Sequence, residues 1–311
     1  MNSIEDNKVH LGSLRCKIAL LPDSHIRPGL QTSIPKHPTK RLYECGRLLF
    51  EKYLQKLATE VDAIVLLGDT LDPADPQSLL WLQQQIEGTL IPVHTIIGNH
   101  ETYGNISAQE FHQALGLPSH GNYLARIKGV PFLMLATPSQ SSLSPGHEGF
   151  QWLESQLENL SNEDLFCCAH WSLLLHPCVE GWRNDGMQQL YASGEILALL
   201  HKYRNVRAWI AGHKNVPSKV IQGNVLHLLS PQLIQAPCGY RILNIHENAI
   251  VSSTHEIEET DIADLSRHAY GHEYPDRHGK NEDRDFAWVF PEKEEPQTPR
   301  GSPSADWKLR P

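Results

Sequence analysis

Five clusters of Asp, Asn and His recur along this sequence, each just after a short apolar run. They are Asp23-Ser-His25, Gly68-Asp69-Thr-Leu-Asp72, Gly98-Asn99-His100-Glu101, the lone His170, and Gly212-His213-Lys-Asn215. Their side chains offer carboxylate oxygen, amide oxygen and imidazole nitrogen, a donor set that suits divalent first-row metals. In extended chain, residues i and i+2 point the same way, so Asp23 and His25 can present an oxygen and a nitrogen to one ion. Taken alone, Asp23-Ser-His25 reads as a capped turn, and Asn99 as a helix cap. The set of five is what points to a metal. A carboxylate such as Asp69 can bridge two ions. Two ions about 3.5–4 Å apart can hold both oxygens of an in-line phosphoryl displacement and generate hydroxide near neutral pH. No Gly-x-Gly-x-x-Gly or Walker A sequence offers a rival phosphate chemistry.

Strands must position these groups. Residues 63–67 are an aliphatic, β-branched run that stops at Gly68, the pattern of a fully buried strand. Similar runs at 17–21, 92–97, 165–169 and 206–211 precede the other four clusters. All five clusters then sit at strand carboxyl ends, where open α/β folds bind ligands. Further strands are expected at 122–127, 131–137, 218–221, 225–229, 240–246 and 249–255, with hairpin signals at 222–224 and 247–248. Helices are expected at 39–57, 76–86 and 194–203. Another starts near Ser144, and one runs from the Ser107–Glu110 capping box to about Gly116.

The bulk composition narrows the function. The chain has 311 residues, is 40% hydrophobic, and carries a formal net charge of -9. That balance argues against non-specific nucleic-acid binding. No apolar run approaches the roughly 20 residues that cross a bilayer. None of the six cysteines forms a C-x-x-C pair, and all six read as reduced thiols in a cytoplasmic protein. Residues 1–15 read as a loose leader and 16–260 as one domain. Residues 261–311 read as a charged, Pro-rich, largely disordered tail with an apolar patch at 286–290. The loops at 27–40, 138–147 and 176–192 would choose a substrate but carry no readable code. Within the last, Arg183 and Asn184 are groups able to touch a phosphate or a base.

In order, Asp-x-His, Gly-Asp-x-x-Asp, Gly-Asn-His-Glu, a lone His and Gly-His resemble the calcineurin-like metallophosphoesterase superfamily. The likeness runs over about residues 17–255 and is greatest to the class III cyclic nucleotide phosphodiesterase branch. It implies an α/β fold, a two-sheet β sandwich flanked by helices. It also implies two divalent ions, of Mn, Fe or Zn, and a small phosphorylated substrate that includes nucleotides. Asp23, His25 and Asp69 would hold one ion, and Asp69, Asn99, His170 and His213 the other. His100 would face the scissile phosphate as an electrostatic clamp or acid, and Asp72 would orient it. Three positions depart from the family pattern. Asn215 stands where a second His is usual, Trp171 follows His170, and Pro22 precedes Asp23. Asn215 can still reach the first ion through its amide oxygen or a water. It also motivates an alternative, a binding or regulatory protein on the same fold with weakened turnover.

Overall fold

The computed structural model describes residues 11–29, 32–177 and 189–291. Twelve strands form two six-stranded mixed sheets. The first sheet contains β1 (Leu14–Leu21), β2 (Ala63–Leu66), β3 (Val93–Thr95), β10 (Gly239–His246), β11 (Ala249–Glu256) and β12 (Phe286–Val289). The second contains β4 (Tyr123–Ile127), β5 (Val130–Met134), β6 (Leu165–Ala169), β7 (Val206–Ala211), β8 (Ser218–Gln222) and β9 (Val225–Leu229). Their orders are β12-β11-β10-β1-β2-β3 and β4-β5-β6-β7-β9-β8.

Side-chain alternation along the strands builds three layers of core. Ile18 and Leu20 of β1 pack between the sheets with Val65, Phe132, Phe166 and Ile210. Ala19 and Leu21, one residue out of step, face the helices instead. The adjacent Cys167 and Cys168 divide likewise, Cys168 inward between the sheets and Cys167 outward. Helices α1 (Gly46–Leu57), α2 (Pro76–Glu87), α3 (Ala108–Ala114) and α6 (Thr260–Tyr270) cover the first sheet. Helices α4 (Glu148–Asn159) and α5 (Ser193–Tyr203) cover the second. This is the expected two-sheet sandwich flanked by helices.

Three expectations need correction. The helix expected from residue 39 begins only at Gly46, after a 3-10 turn at Tyr43–Cys45. Leu42 N–H instead donates to the Ile234 carbonyl at 2.7 Å, and Arg41 forms a β-bridge with Gln235. Pairing with a distant segment outcompetes the local helix. The leader ends earlier than residue 15, because β1 already pairs Leu14 with His246.

The boundary at 260 is the largest error. Residues 260–290 fold onto the body as α6, α7 (Tyr274–His278), α8 (Asn281–Arg284) and β12. Trp288 and Phe290 enter the core between the sheets. Arg241, fully buried on β10, donates to the Ser252 hydroxyl and to the carbonyls of Leu229, Asp283 and Arg284 at 2.7–3.2 Å. Burial lowers its guanidinium pKa to about 9. High charge density hid this segment, because several of its charged groups serve carbonyl acceptors instead of solvent. Residues 292–311, like Arg183 and Asn184, lie outside the described residues.

Candidate metal centre

Strands β1 and β2 run parallel, so their carboxyl ends emerge together. The loops that follow are laced by backbone bonds, Asp23 N–H to Gly68 O and His25 N–H to Asp69 O, each 2.9 Å. Parallel β6 and β7 bring His170 and His213 to the same edge from the second sheet. Asp23, His25, Asp69, Asp72, Asn99, His100, His170 and His213 therefore meet across the two sheets.

His170 sits at the centre of one half. Its Nδ1 donates to the Leu67 carbonyl at 2.9 Å, so Nε2 presents a lone pair. Around that Nε2, Asp69 Oδ2, Asn99 Oδ1 and His213 Nδ1 each lie at 3.1 Å. Four electron-pair donors at such spacing repel unless a cation or a proton sits among them. Burial opposes a charge on His170, but the Asp69 carboxylate beside it raises its pKa to about 9. Burial likewise opposes ionisation of Asp69, and His170 outweighs it, holding the carboxyl well below the usual range.

The other half is made by His25, Asp69 and His100, whose donor atoms lie within 4.8 Å of one another. Asp72 links the two histidines. Its Oδ1 is 2.8 Å from His100 Nδ1, and its Oδ2 is 3.2 Å from His25 Nδ1. His100 is the more open group, with its side chain 23% exposed. Its Nε2 lies 3.8 Å from Asp69 Oδ2. Asp23 accepts from His213 N–H at 2.8 Å through Oδ2, while its Oδ1 stands 3.7 Å from His25 Nε2. Asn215 donates its amide to the His213 carbonyl at 2.9 Å, leaving Oδ1 buried without a hydrogen-bond partner.

The backbone around these groups is strained. Among the described residues, eight non-glycine residues have positive φ, and five of them are Asp23, His25, Asp69, His213 and Asn215. Such conformations cost on the order of 1 kcal/mol or more each and persist where surrounding structure imposes them. A Cβ on Gly98 would lie 2.3 Å from Asp69 Oδ1, and one on Gly212 would lie 2.6 Å from Asp23 Oδ2. Both glycines let backbone pass directly beside a candidate ligand.

The residues fit two divalent ions. Asp23 Oδ1, His25 Nε2 and Asn215 Oδ1 are buried without hydrogen-bond partners. A buried polar atom left unpaired is costly, and a metal ion is a natural partner for such oxygens and nitrogens.

Three further residues shape the site. Glu101, buried, accepts from the backbone N–H groups of Asp69, Leu71 and Gly98 at 2.8–3.0 Å. Burial and the nearby Asp69 charge raise its pKa to about 7. Tyr103 Oη accepts from Asn99 Nδ2 at 2.6 Å, turning the amide oxygen toward His170. The Trp171 ring packs on His213 with centroids 3.8 Å apart. Glu101 was legible as the last residue of Gly-Asn-His-Glu, and Trp171 as the neighbour of His170. Nothing local singled out Tyr103.

The family model for calcineurin-like phosphoesterases matches residues 16–217, which include all of these candidate ligands. The chain belongs to the calcineurin-like phosphoesterase family. A curated relative in sequence is a 3',5'-cyclic-nucleotide phosphodiesterase of Nostoc sp., 24% identical over 192 residues. That match covers 58% of this chain and 65% of the relative, so the chain spans just under two thirds of its length. Among solved structures, a dimetal phosphatase from Danio rerio superposes with a TM-score of 0.62 at 17% identity. It covers 78% of this chain and 96% of that one. GAP50, described as the anchor in the inner membrane complex of Plasmodium, gives 0.52 at 16% identity, covering 79% and 86%. The calcineurin-like phosphoesterase fold is thus shared with an enzyme and with an anchor. Among the described residues, no helix of this family member is long and apolar enough to cross a membrane.

Proposed function

We propose that the chain is a metal-dependent hydrolase that cleaves a phosphodiester or phosphomonoester. The observation that carries this reading is the set of three donors around His170 Nε2, built on strained loops from both sheets. Asp69, Asn99, His170 and His213 would hold one ion. Asp23, His25 and Asp69 would hold the other, with Asn215 contributing its amide oxygen. When bound, such ions neutralise charge that develops on phosphorus-bound oxygens and activate a water. Manganese, iron and zinc all suit these ligands. His100 faces the open side, and Asp72 fixes its Nδ1 proton, so Nε2 is free to hold or deliver a proton at the substrate. Glu101 keeps the Asp69 and Gly98 loops at their spacing.

The Nostoc relative supports a cyclic nucleotide among the candidate substrates. The buried free cysteines support work in a reducing compartment such as the cytoplasm. A second reading, a binding or regulatory protein with weakened turnover, draws on Asn215, where the family usually has a histidine. The same fold in a Plasmodium anchor shows that fold alone does not fix activity.

The test is metal analysis with turnover of bis-p-nitrophenyl phosphate, wild type beside Asp69→Asn. The expected result is manganese-stimulated turnover in the wild type. Asp69→Asn should lose both metal and activity while its fold survives. Normal metal content and rate in Asp69→Asn would overturn the two-ion assignment. A wild type that binds metal but turns over no phosphoester would favour the binding protein.

A further inference from the structure

Next to the His25 side of the centre, Arg27 and Arg41 both meet the ring of Tyr43. Arg41 Nη1 donates to Tyr43 Oη at 2.9 Å, and its Nε to Gln235 Oε1 at 2.7 Å. Arg27, exposed, stacks on Tyr43 with Cζ 3.4 Å from the ring centroid. The Tyr43 ring stands edge-on to His25, centroids 6.5 Å apart. Arg41 is held by its bridge to Gln235, and Gln235 is itself bound by Gln232 and by the Tyr270 hydroxyl.

The charge on Arg41 has no obvious internal purpose. It is partly buried, and among the described residues no carboxylate lies within 4.0 Å of its guanidinium. Arg207, which is buried, pairs with Asp164 at 2.9 Å, the usual arrangement. The carboxylates of Asp23 and Asp72 are near enough to act on Arg41, yet both belong to the metal centre. With those carboxylates committed to ions, the guanidinium would be left as a fixed cation, linked through Tyr43 to the edge of His25. A guanidinium fork held by neutral partners keeps donors for a planar or tetrahedral anion, and phosphate is a good match.

Building on the hydrolase reading above, we infer that Arg41, with Tyr43 and Gln235 behind it and Arg27 outside it, is an anion subsite for a second phosphate of the substrate. The preferred substrate is then a phosphate ester of at least two phosphates, such as a nucleoside diphosphate. The metal centre takes the reacting phosphate, and the arginine tier takes the other. Arg27 stacked on Tyr43 also offers an exposed, flat cationic surface, suited to an aromatic base.

The test compares adenosine 5'-diphosphate with adenosine 5'-monophosphate by calorimetry, using the full chain at a fixed excess of free manganese. Arg41→Gln should weaken the diphosphate about 10–100-fold and the monophosphate less than about threefold. Arg41→Lys should fall between, since it keeps the charge and loses the fork. Equal losses for both nucleotides, no loss for either, or a wild type that binds neither would overturn the subsite. Thermal unfolding checks that Arg41→Gln folds. If it does not, Arg27→Gln at an exposed position carries the test, with a smaller loss for the diphosphate alone; an unselective effect there overturns the proposal. Bis-p-nitrophenyl phosphate turnover is run on the same wild-type preparation. Selective diphosphate binding without turnover upholds the subsite and defeats the hydrolase reading. Turnover without selectivity does the reverse.

Discussion

At the scale of single residues, His100 and Asn215 decide how the centre works. His100 could in principle join His25 and Asp69 on an ion, since their donor atoms lie within 4.8 Å. Its partial exposure and its bond to Asp72 favour a substrate-facing role. His100→Ala should therefore lower turnover by about 10²–10⁴ with metal content intact. Loss of metal in that variant, read by elemental analysis, would make His100 a ligand. Asn215 brings a weak neutral oxygen where an imidazole would be strong. The ion on the Asp23–His25 side should therefore bind more weakly than the ion on the His170 side. Asn215→His should tighten it and reduce the manganese needed for activity. Calorimetric titration of metal-free protein would show two equally tight sites in the wild type if this asymmetry is absent. The positions of these groups were legible, because Asp, Asn and His recurred after five strands. The partners that aim them were less so. Tyr103 reaches Asn99 only through the fold of a 3-10 turn, at His100–Tyr103, that no local pattern announced.

At the scale of elements, the loops after β2 and β3 behave as one unit because Glu101 binds both. Three buried N–H groups share one carboxylate. Glu101→Ala should cost about 3 kcal/mol or more, since it leaves all three donors without an acceptor. It should also weaken metal binding, because Asp69 and Asn99 ride on those loops. Urea unfolding of the metal-free proteins measures the first effect, and a loss below about 1 kcal/mol would rule out the clamp. The strands themselves were easy to read, with 165–169 and 206–211 matching β6 and β7 end to end. Helix α1 was misread at its start because Arg41 and Leu42 pair with residues almost two hundred positions away. Local periodicity carries no information about such partners. The apolar stretch at 286–290 was visible, yet the surrounding charges masked its place in the first sheet.

At the scale of the whole molecule, acid should loosen the second sheet independently of the metal. His176 and His227 are buried there, and burial lowers their pKa values to about 3 and about 4. In the unfolded chain each would titrate near 6.5. Between that value and the folded one, the unfolded state binds more protons, so stability is full above about pH 6.5 and falls as pH drops toward 4. At pH 5 the loss from His227 alone should be on the order of 1–2 kcal/mol. Urea unfolding at pH 7 and pH 5 checks this, because His227→Leu should flatten the pH slope. An unchanged slope would mean that neither state differs in proton uptake at that position.

The closing strand has a consequence for how the protein is made. Every candidate ligand precedes residue 216, so a ribosome releases the whole donor set well before the chain is finished. The frame that fixes those donors closes later. Arg277 donates to the Asn215 and Ala236 carbonyls at 3.2 Å, and β12 adds the last strand beside β11. A nascent chain halted near residue 260 would carry all its ligands on loops that lack this final brace. Ions captured at that stage would meet softer, less selective loops than those of the finished protein. The order of synthesis therefore places the whole donor set ahead of the brace that fixes it.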